Sequence, residues 1–458
     1  MGLGLHGGGL GAACFLARHG AELTVTDLRG EEMLRPSIET LNDFVASVNG
    51  KPVRYVLERH DLRDFAEADF VVKNPGVRPD SPFLKAARCV ETDISLFLAH
   101  NPSRLIAVTG SKGKSFTASA IHFVLEKASG GRVFLGGNIT VSPLNFLDEL
   151  TAACDVVLEL SSWQLGDLPH GLLKPRSAVM TAIMSDHLDR YGTMDAYVAD
   201  KRVIYQAQDG GDATIAGDDA WGKSFLSETP GRPYSYGKKK PAGAGAFVCK
   251  DGGPCLAVGP IGGLGPGETA RIVPAAPGAP GLHQKVNLMA AGLALLDLGL
   301  PAPFIDDCIG RFPGIEHRLE FFYENDGIRF YNDTAATIPE AAAAAVHALG
   351  SPVVVTGGTD KNLDFSSLAD SLAAARAVVL LSGTGSAKLV RLLEARSILY
   401  SGPWDSLDRA VEAVRTAVAS APDGTSVVLS PGCTSFEMFL NEFDRGLKWK
   451  AAVKASFR

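Results

Sequence analysis

No stretch of this 458-residue chain approaches the roughly 18 consecutive apolar positions of a membrane-crossing helix, so no membrane span is expected. The opening MGLGLHGGG lacks the basic start and apolar core of a secretion signal. Cysteine is sparse and odd in number, seven residues scattered without C-x-x-C spacing. That excludes a disulfide framework and points to a reducing compartment, hence the cytoplasm. An excess of positive charge is missing too. A net charge of −7 argues against a nucleic-acid surface or an anionic-membrane anchor, though not against a local basic pocket for a phosphorylated ligand. What is present, 46% hydrophobic and 21% charged residues, is the balance of a globular protein with a sizeable core. The length exceeds one ordinary core; at about 150 residues per domain, three domains fit best.

Three segments read differently. The first, residues 1–93, begins GLGLHGGGLGAACFLARHGAELTVTDLR. A short strand, a glycine turn, a helix over Ala12–His19 and the strand Glu22–Thr26 ending in Asp27 make a βαβ unit with a dinucleotide-style turn. Glycine-rich strand-to-helix turns also serve plain packing, so this pattern alone does not establish a ligand. The opening strand reads short, and a few residues are expected to precede it in the native chain. The second segment, 94–300, holds the strand Arg104–Thr109, the helix Phe116–Lys127 and the strands Asp155–Leu160 and Ser177–Ile183. Its glycine- and proline-rich part, 210–280, reads as an irregular, partly β region containing GAFVCK and ARIVP, before the helix Val286–Leu298. The third, 301–458, alternates the strands Arg329–Asn332, Pro352–Thr356, Ala377–Leu381 and Ser426–Ser430 with the helices Pro339–Leu349, Leu368–Ala375, Ala387–Glu394 and Leu407–Ala419. Apolar strands alternating with helices predict a parallel sheet covered on both faces.

The stretch AVTGSKGKSFTAS, 107–119, resembles a phosphate loop without its leading glycine: Gly113-Lys114-Ser115 ends a Walker sequence whose first glycine would fall on Val108. A shorter Gly110-Ser-Lys-Gly113-Lys-Ser loop still offers backbone N–H groups to phosphate at a helix start, with Lys114 toward the transferred phosphate and Ser115 toward magnesium. Glu159, at the end of VVLEL, lies at the edge of an open sheet where ligands bind and suits magnesium, although a lone strand-end glutamate is more often structural. In MSDHLDRYGTMDAYVADK, His187 and Lys201 together suggest a second cation site; singly, each reads as a surface residue. A lysine ammonium cannot ligate metal, so Lys201 would have to be neutral or converted to a carbamate. Arg318 suits nucleotide phosphates, and Asp333 suits ribose hydroxyls or magnesium-bound water. Lys361 and Ser435 suit a carboxylate ligand, with the surface-residue reading open for each.

TGSKGKS, GGNIT, ELSSWQL, SDHLDRYGTMDAYVADK, GLHQKVN, FPGIEHRLE, NDTAAT, GGTDKNLDF and LSPGCTSFEMF occur in the order found in Mur ligases, and the chain resembles that family over essentially its whole length. Within it, ELSSWQL, HLDRYG and LSPGCTSFEMF resemble the branch that joins D-glutamate to UDP-N-acetylmuramoyl-L-alanine. The resemblance implies three α/β domains: a Rossmann-like UDP-binding domain (1–93), a P-loop ATPase-like ATP-binding domain (94–300) and a Rossmann-like glutamate-binding domain (301–458). It implies that Gly110, Ser111, Lys112, Gly113, Lys114 and Ser115 bind the ATP phosphates, and that Asn287, Arg318 and Asp333 lie around the nucleotide. Gly7, Gly8, Gly9 and Asp27 would take the uridine end, Asn138 and His187 the muramoyl-alanine part, and Thr337, Lys361 and Ser435 the glutamate. Two magnesium ions would be held by Ser115, Glu159, His187 and a carbamylated Lys201. The catalytic set is then Lys114, Glu159, His187 and Lys201, in a monomer whose partners are ATP, the UDP-sugar and glutamate.

Four positions depart from the family pattern. Lys112 and Gln284 stand where asparagine is common, Ala335 stands where lysine is usual, and Glu442 stands where an aromatic is expected, with Phe443 one place later. The last two surround the glutamate pocket and leave L-glutamate open as the amino acid. Folylpolyglutamate synthetase is a more distant ligase alternative, disfavoured by the UDP-type first segment. A nicotinamide-dependent oxidoreductase would account for the first βαβ but leaves the GKS loop, Glu159 and Lys201 without a role. A non-catalytic nucleotide-binding relative would not need Lys114, Glu159, His187 and Lys201 together.

Overall fold

The computed structural model describes residues 1–4, 7–139 and 141–457, the side chains of Leu188 and Asp189 apart. Two compact units emerge, Met1–Ala275 with Val286–Ile309, and Ala276–Lys285 with Gly310–Arg458. Both are α/β, as the sequence pattern predicts.

In the first unit, one sheet of nine strands runs from edge to edge as Thr269–Val273, Cys255–Val258, Gly245–Val248, Arg232–Gly237, Ala213–Gly217, Ser177–Met180, Arg104–Thr109, Asp155–Glu159 and Val133–Gly137. The seven strands from Gly245–Val248 onward are parallel; Cys255–Val258 runs against them, and Thr269–Val273 pairs antiparallel with it. Central strands such as Asp155–Glu159 and Ser177–Met180 are buried at every position, which is why they read as apolar runs rather than alternating ones. Residues 210–280 are more regular than expected: they supply five strands that extend this sheet. Short strands with a glycine-rich composition look irregular in sequence because pairing, not propensity, holds them. The Ser177 strand stops at Met180, since Thr181 turns to hydrogen-bond Thr109.

The glycine turn at the start of the chain leads into a helix, Gly8–Arg18, and the next strand is Thr24–Asp27. Among the described residues, 1–4 form no strand where an opening one is expected. Residues 5 and 6 lie outside the described residues, and Met1–Gly2 links two two-stranded sheets, Thr24–Asp27 with Arg54–Leu57 and Val71–Val72 with Val90–Glu91, by single hydrogen bonds. Gly2 N–H donates to the Thr26 carbonyl (2.8 Å), the Met1 amino group donates to the Val72 carbonyl (2.8 Å), and Asn74 N–H donates to the Met1 carbonyl (3.0 Å). Gly9 is needed here for close approach: a Cβ would fall 2.4 Å from the carbonyl oxygens of Gly2 and Leu3. Lys73 is buried in an ion pair with Asp167, fastening this region to the nine-stranded part of the unit.

The second unit carries a six-stranded sheet in the order Glu320–Asn325, Ile328–Asn332, Ser426–Leu429, Val353–Thr356, Ala377–Leu381 and Ser401–Trp404. It is not wholly parallel. The edge strand Glu320–Asn325 pairs antiparallel with Ile328–Asn332 through the two-residue turn Asp326-Gly327, both at positive φ (49° and 73°). Such an edge on an otherwise parallel sheet needs only a hairpin, whereas each parallel pair needs a crossover helix.

Candidate active site

Neighbouring parallel strands bring their carboxyl ends to one sheet edge, the usual ligand-binding edge of an open α/β sheet. In the first unit this edge gathers the loop after Thr109, Asn138 after the Val133–Gly137 strand, Glu159, and Thr181 after the Ser177–Met180 strand. The loop enters the helix Lys114–Ser129 through Gly113 in the left-handed region (φ 93°), so the first helical N–H groups are left without intrahelical acceptors. A Cβ on Gly113 would meet the Asn287 side-chain oxygen at 2.5 Å, and one on Gly110 (φ 148°) would meet Thr181 Oγ1 at 2.0 Å. The two glycines therefore serve packing as well as conformation, and Asn287 lies directly against the loop.

Two lysines converge on one carbonyl. Lys114 Nζ donates to Gly110 O (3.1 Å) and Ser111 O (3.2 Å), while Lys201 Nζ donates to the same Gly110 O at 2.9 Å. Lys201 is 1% exposed, not a solvated helix residue. Burial, then the charge of Lys114, lowers its pKa to about 7, and burial lowers that of Lys114 despite Glu159 nearby. The ammonium of Lys201 also lies 4.7 Å over the Tyr197 ring, whose hydroxyl meets Ser111 Oγ at 2.9 Å. His187 packs against Trp163 (ring centroids 5.0 Å) and faces Tyr197 at 6.3 Å, with backbone φ of 52°. Asp186 joins these groups, its carboxylate 3.4 Å from Lys112 Nζ and 3.9 Å from His187 Nε2.

Glu159 is 1% exposed. Asn138 Nδ2 donates to its Oε1 at 2.8 Å, whereas Oε2 is buried without a hydrogen-bond partner among the described residues. A buried carboxylate oxygen left unpaired is costly unless a cation takes it. Ser115 lies in the first turn of the helix Lys114–Ser129, and hydroxyl and carboxylate oxygens are the donors that suit a hard divalent ion such as magnesium. Asn138, expected to face the sugar substrate, is held against Glu159 by its hydrogen bond. The expected set Gly110, Ser111, Lys112, Gly113, Lys114, Ser115, Asn138, Glu159, His187, Lys201 and Asn287 thus all belongs to this unit.

Asp27 is buried and accepts hydrogen bonds from the backbone N–H groups of Gly4 (3.2 Å) and Arg29 (3.0 Å), fixing the turn where Gly7, with φ 87°, opens the helix. In the second unit, carboxyl ends gather again, here of Ile328–Asn332, Ser426–Leu429 and Val353–Thr356. Arg318 is flanked by two non-glycine residues in the left-handed region, His317 (φ 67°) and Leu319 (φ 43°). A carboxylate holds each: His317 N–H donates to Glu320 Oε2 (3.0 Å) and Leu319 N–H to Asp333 Oδ1 (3.0 Å). Ser430 Oγ donates to the other Asp333 oxygen at 2.6 Å, and burial raises the Asp333 pKa to about 7. Ser435 is buried and its hydroxyl has no partner among the described residues, Thr337 is half-buried, and Lys361 is exposed. Among the described residues, the one cluster of three metal-type side chains is Glu316, His317 and Glu320. Lys450 Nζ already lies 3.1 Å from Glu316 and 2.6 Å from Glu320, so this is an ion-pair network rather than a cation site.

Residues 108–295 match the model of the Mur ligase middle domain, and residues 317–433 match that of the Mur ligase, glutamate ligase domain. The chain is 39% identical to the UDP-N-acetylmuramoylalanine–D-glutamate ligase of Treponema pallidum (strain Nichols), over 100% of this chain and 97% of that protein. It is 40% identical to the protein of the same name from Roseiflexus sp. (strain RS-1), over 99% and 97%. The chain belongs to the Mur ligase family, among the UDP-N-acetylmuramoylalanine–D-glutamate ligases. Its fold is shared with MurF ligase from Thermotoga maritima in complex with ADP, at a TM-score of 0.55 and 16% identity, covering 96% of this chain and 97% of that one.

Several residues of this Mur ligase site escaped the sequence reading. Asp186 and Tyr197 stand beside residues that were recognised, but a neighbour in sequence gives no hint of Lys112 or Ser111 across the loop. The burial of Lys201 did leave a signal. Tyr197, Val198, Lys201, Ile204 and Tyr205 form the buried face of the helix Met194–Gln206, so the lysine falls on an apolar stripe.

Proposed function

We propose that this Mur ligase joins D-glutamate to UDP-N-acetylmuramoyl-L-alanine, with ATP converted to ADP and phosphate, as a cytoplasmic step in building the peptidoglycan precursor. Residues 1–93 bind the UDP end, 94–300 bind ATP, and 301–458 bind glutamate. The observation that carries this reading is the end-to-end likeness to ligases of that name, which takes in a phosphate loop facing two lysines and a buried, half-unpaired glutamate. No described helix is long and apolar enough to cross a membrane.

The alanine carboxylate attacks the γ-phosphorus of ATP; the bond to the β–γ bridging oxygen breaks, giving an acyl phosphate and ADP. The deprotonated amine of glutamate then attacks the carbonyl carbon. Phosphate leaves with the C–O bonding electrons, and the amide nitrogen loses its remaining extra proton. The loop N–H groups and Lys114 hold the phosphates, and since transfer builds charge on oxygen, most of the catalytic work is electrostatic. Magnesium, when bound, would neutralise charge on the γ-phosphoryl oxygens. Ser115, Glu159, His187 and a carbamate on Lys201 are the residues to hold it. Lys201 supports that role because a buried amine with a pKa of about 7 is substantially neutral, as addition to carbon dioxide requires. Asn287, Arg318 and Asp333 contact the nucleotide, and Thr337, Lys361 and Ser435 take the glutamate; the unpartnered Ser435 hydroxyl suits a carboxylate oxygen.

The test is ADP release by the purified protein, taken as a monomer, with UDP-N-acetylmuramoyl-L-alanine and either enantiomer of glutamate. Release that depends on D-glutamate is expected. No glutamate-dependent release with either enantiomer refutes the reading, and turnover with L-glutamate alone reassigns the amino acid.

A further inference from the structure

Arg445 lies on the C-terminal helix Glu442–Ser456 and is fully buried. Among the described residues its guanidinium forms no ion pair; its hydrogen bonds go to neutral oxygens. Nε donates to Thr334 Oγ1 (3.0 Å), Nη2 to Thr334 O (2.9 Å) and Cys433 O (3.3 Å), and Nη1 to Cys433 O (3.2 Å). Burying a guanidinium without a directly paired carboxylate is costly; burial lowers its pKa to about 10, which the nearby Glu442 offsets only in part. A helix could be packed far more cheaply with a leucine there, so the charge calls for a reason beyond packing.

The two carbonyls it grips belong to two different loops. Thr334 lies in the Asn332–Thr337 turn, and Cys433 lies two residues before Ser435. The second loop is tied to a third, because Thr434 and Thr359 exchange backbone hydrogen bonds (3.0 and 3.1 Å). Gly358, in that third loop, approaches so closely that an added Cβ would lie 2.6 Å from Thr434 O and 3.6 Å from Arg445 Nη1. Thr334 Oγ1 passes its own hydrogen to Glu442 O (2.8 Å), which closes the connection back to the helix. The next residue, Gly446, lets the helix reach this depth. A Cβ there would meet His317 Nδ1 and Thr334 Cγ2, each at 2.6 Å. Arg445 and Ser435 line one shared recess together with Gly358, Thr359, Thr434 and Glu437, and among the described residues the Ser435 hydroxyl in it has no partner.

We propose that Arg445 is a positioning residue for the glutamate pocket: by gripping Thr334 and Cys433 it locks the loops that carry Thr337 and Ser435 into register. This rests on the ligase reading above, and on Thr337, Lys361 and Ser435 as its glutamate residues. The planar fork matters because it grips two carbonyls at once; a lysine keeps the charge but cannot hold both in that geometry.

The test is steady-state kinetics of ADP release for Arg445→Lys, Arg445→Met and Thr334→Val, with each substrate varied in turn. The KM for D-glutamate is expected to rise at least about tenfold in Arg445→Lys and further in Arg445→Met, the scale of losing charge-assisted hydrogen bonds. The KM values for ATP and the nucleotide sugar are expected to stay within about twofold of wild type. Should Arg445→Met fail to fold, Thr334→Val, which removes one acceptor at nearly constant volume, decides the matter by a smaller rise confined to glutamate. A lysine variant with wild-type KM for glutamate overturns the proposal, as does a parallel rise in all three KM values, which would mark a merely structural role. A wild-type protein without glutamate-dependent turnover refutes the ligase reading itself, so the two failures are distinguishable.

Discussion

Placing Lys201 under carbon dioxide is the most direct test of the metal-holding edge. An ordinary lysine at pH 7.5 is neutral in about one molecule per thousand; with the pKa lowered from 10.5 to about 7, about three-quarters of Lys201 is neutral. Only the neutral amine adds carbon dioxide, releasing one proton and leaving a carbamate anion. Burial beneath Gly110 therefore raises the reactive fraction by nearly three orders of magnitude, and the reaction converts a neutral amine beside Lys114 into an anion that Lys114 attracts. Incubated with isotopically labelled bicarbonate, the wild-type protein should show a carbamate carbonyl resonance that Lys201→Ala lacks. The resonance and the ADP-release rate should both fade as pH drops below about 7, where the amine is protonated. Lys201→Ala should lose about tenfold to a hundredfold or more in rate, the cost of a missing group around a metal. Small carboxylates, which can occupy the space of the missing carbamate, should restore part of it. Absence of the resonance above pH 7 refutes the carbamate, and unchanged activity in Lys201→Ala refutes the metal-positioning role altogether.

Glu159→Gln keeps an oxygen for Asn138 but abolishes the unpaired anionic oxygen; a rate loss of about a hundredfold or more is expected with the thermal midpoint little changed, measured by ADP release and circular dichroism. Gly113→Ala puts a side chain at φ 93° and against Asn287 Oδ1, so unfolding in urea should show a loss of at least about 1–3 kcal/mol together with weakened ATP use. Asp333 has its pKa raised from 3.8 to about 7, so the native state holds a proton that the unfolded chain releases between these values. Stability from this group is therefore greatest at low pH and is lost as pH rises through that window; Asp333→Asn should flatten the dependence in denaturation curves taken across it. Lys201 acts in the opposite direction. Below about pH 7 its buried ammonium costs the native state at most about 5 kcal/mol, a cost that shrinks as pH climbs toward 10.5, so Lys201→Met should unfold at a higher temperature than wild type near pH 6 in carbonate-free buffer.

The sequence by itself determined the alternation of strands and helices, and with it the α/β class, because continuous apolar strands between amphipathic helices have few other ways to be buried. It also determined the short phosphate loop, since Gly110, Gly113, Lys114 and Ser115 are contiguous and their spacing is the chemistry. The hairpin at Asp326-Gly327 was legible too: a two-residue Asp-Gly turn between apolar runs marks antiparallel pairing, and the expectation of a wholly parallel sheet passed over it. Tertiary structure alone decided which distant groups meet. Asn138 reaches Glu159, Lys114 and Lys201 share one carbonyl, and Arg445 joins two loops, at Thr334 and Cys433, that are far apart in sequence. Spacing along the chain carries no record of such pairings, because they arise where parallel strands end at one sheet edge. Burial, the other thing decided in three dimensions, converts a common lysine, aspartate or arginine into a group with a shifted proton affinity, and only the packed fold removes the water that would otherwise keep it ordinary.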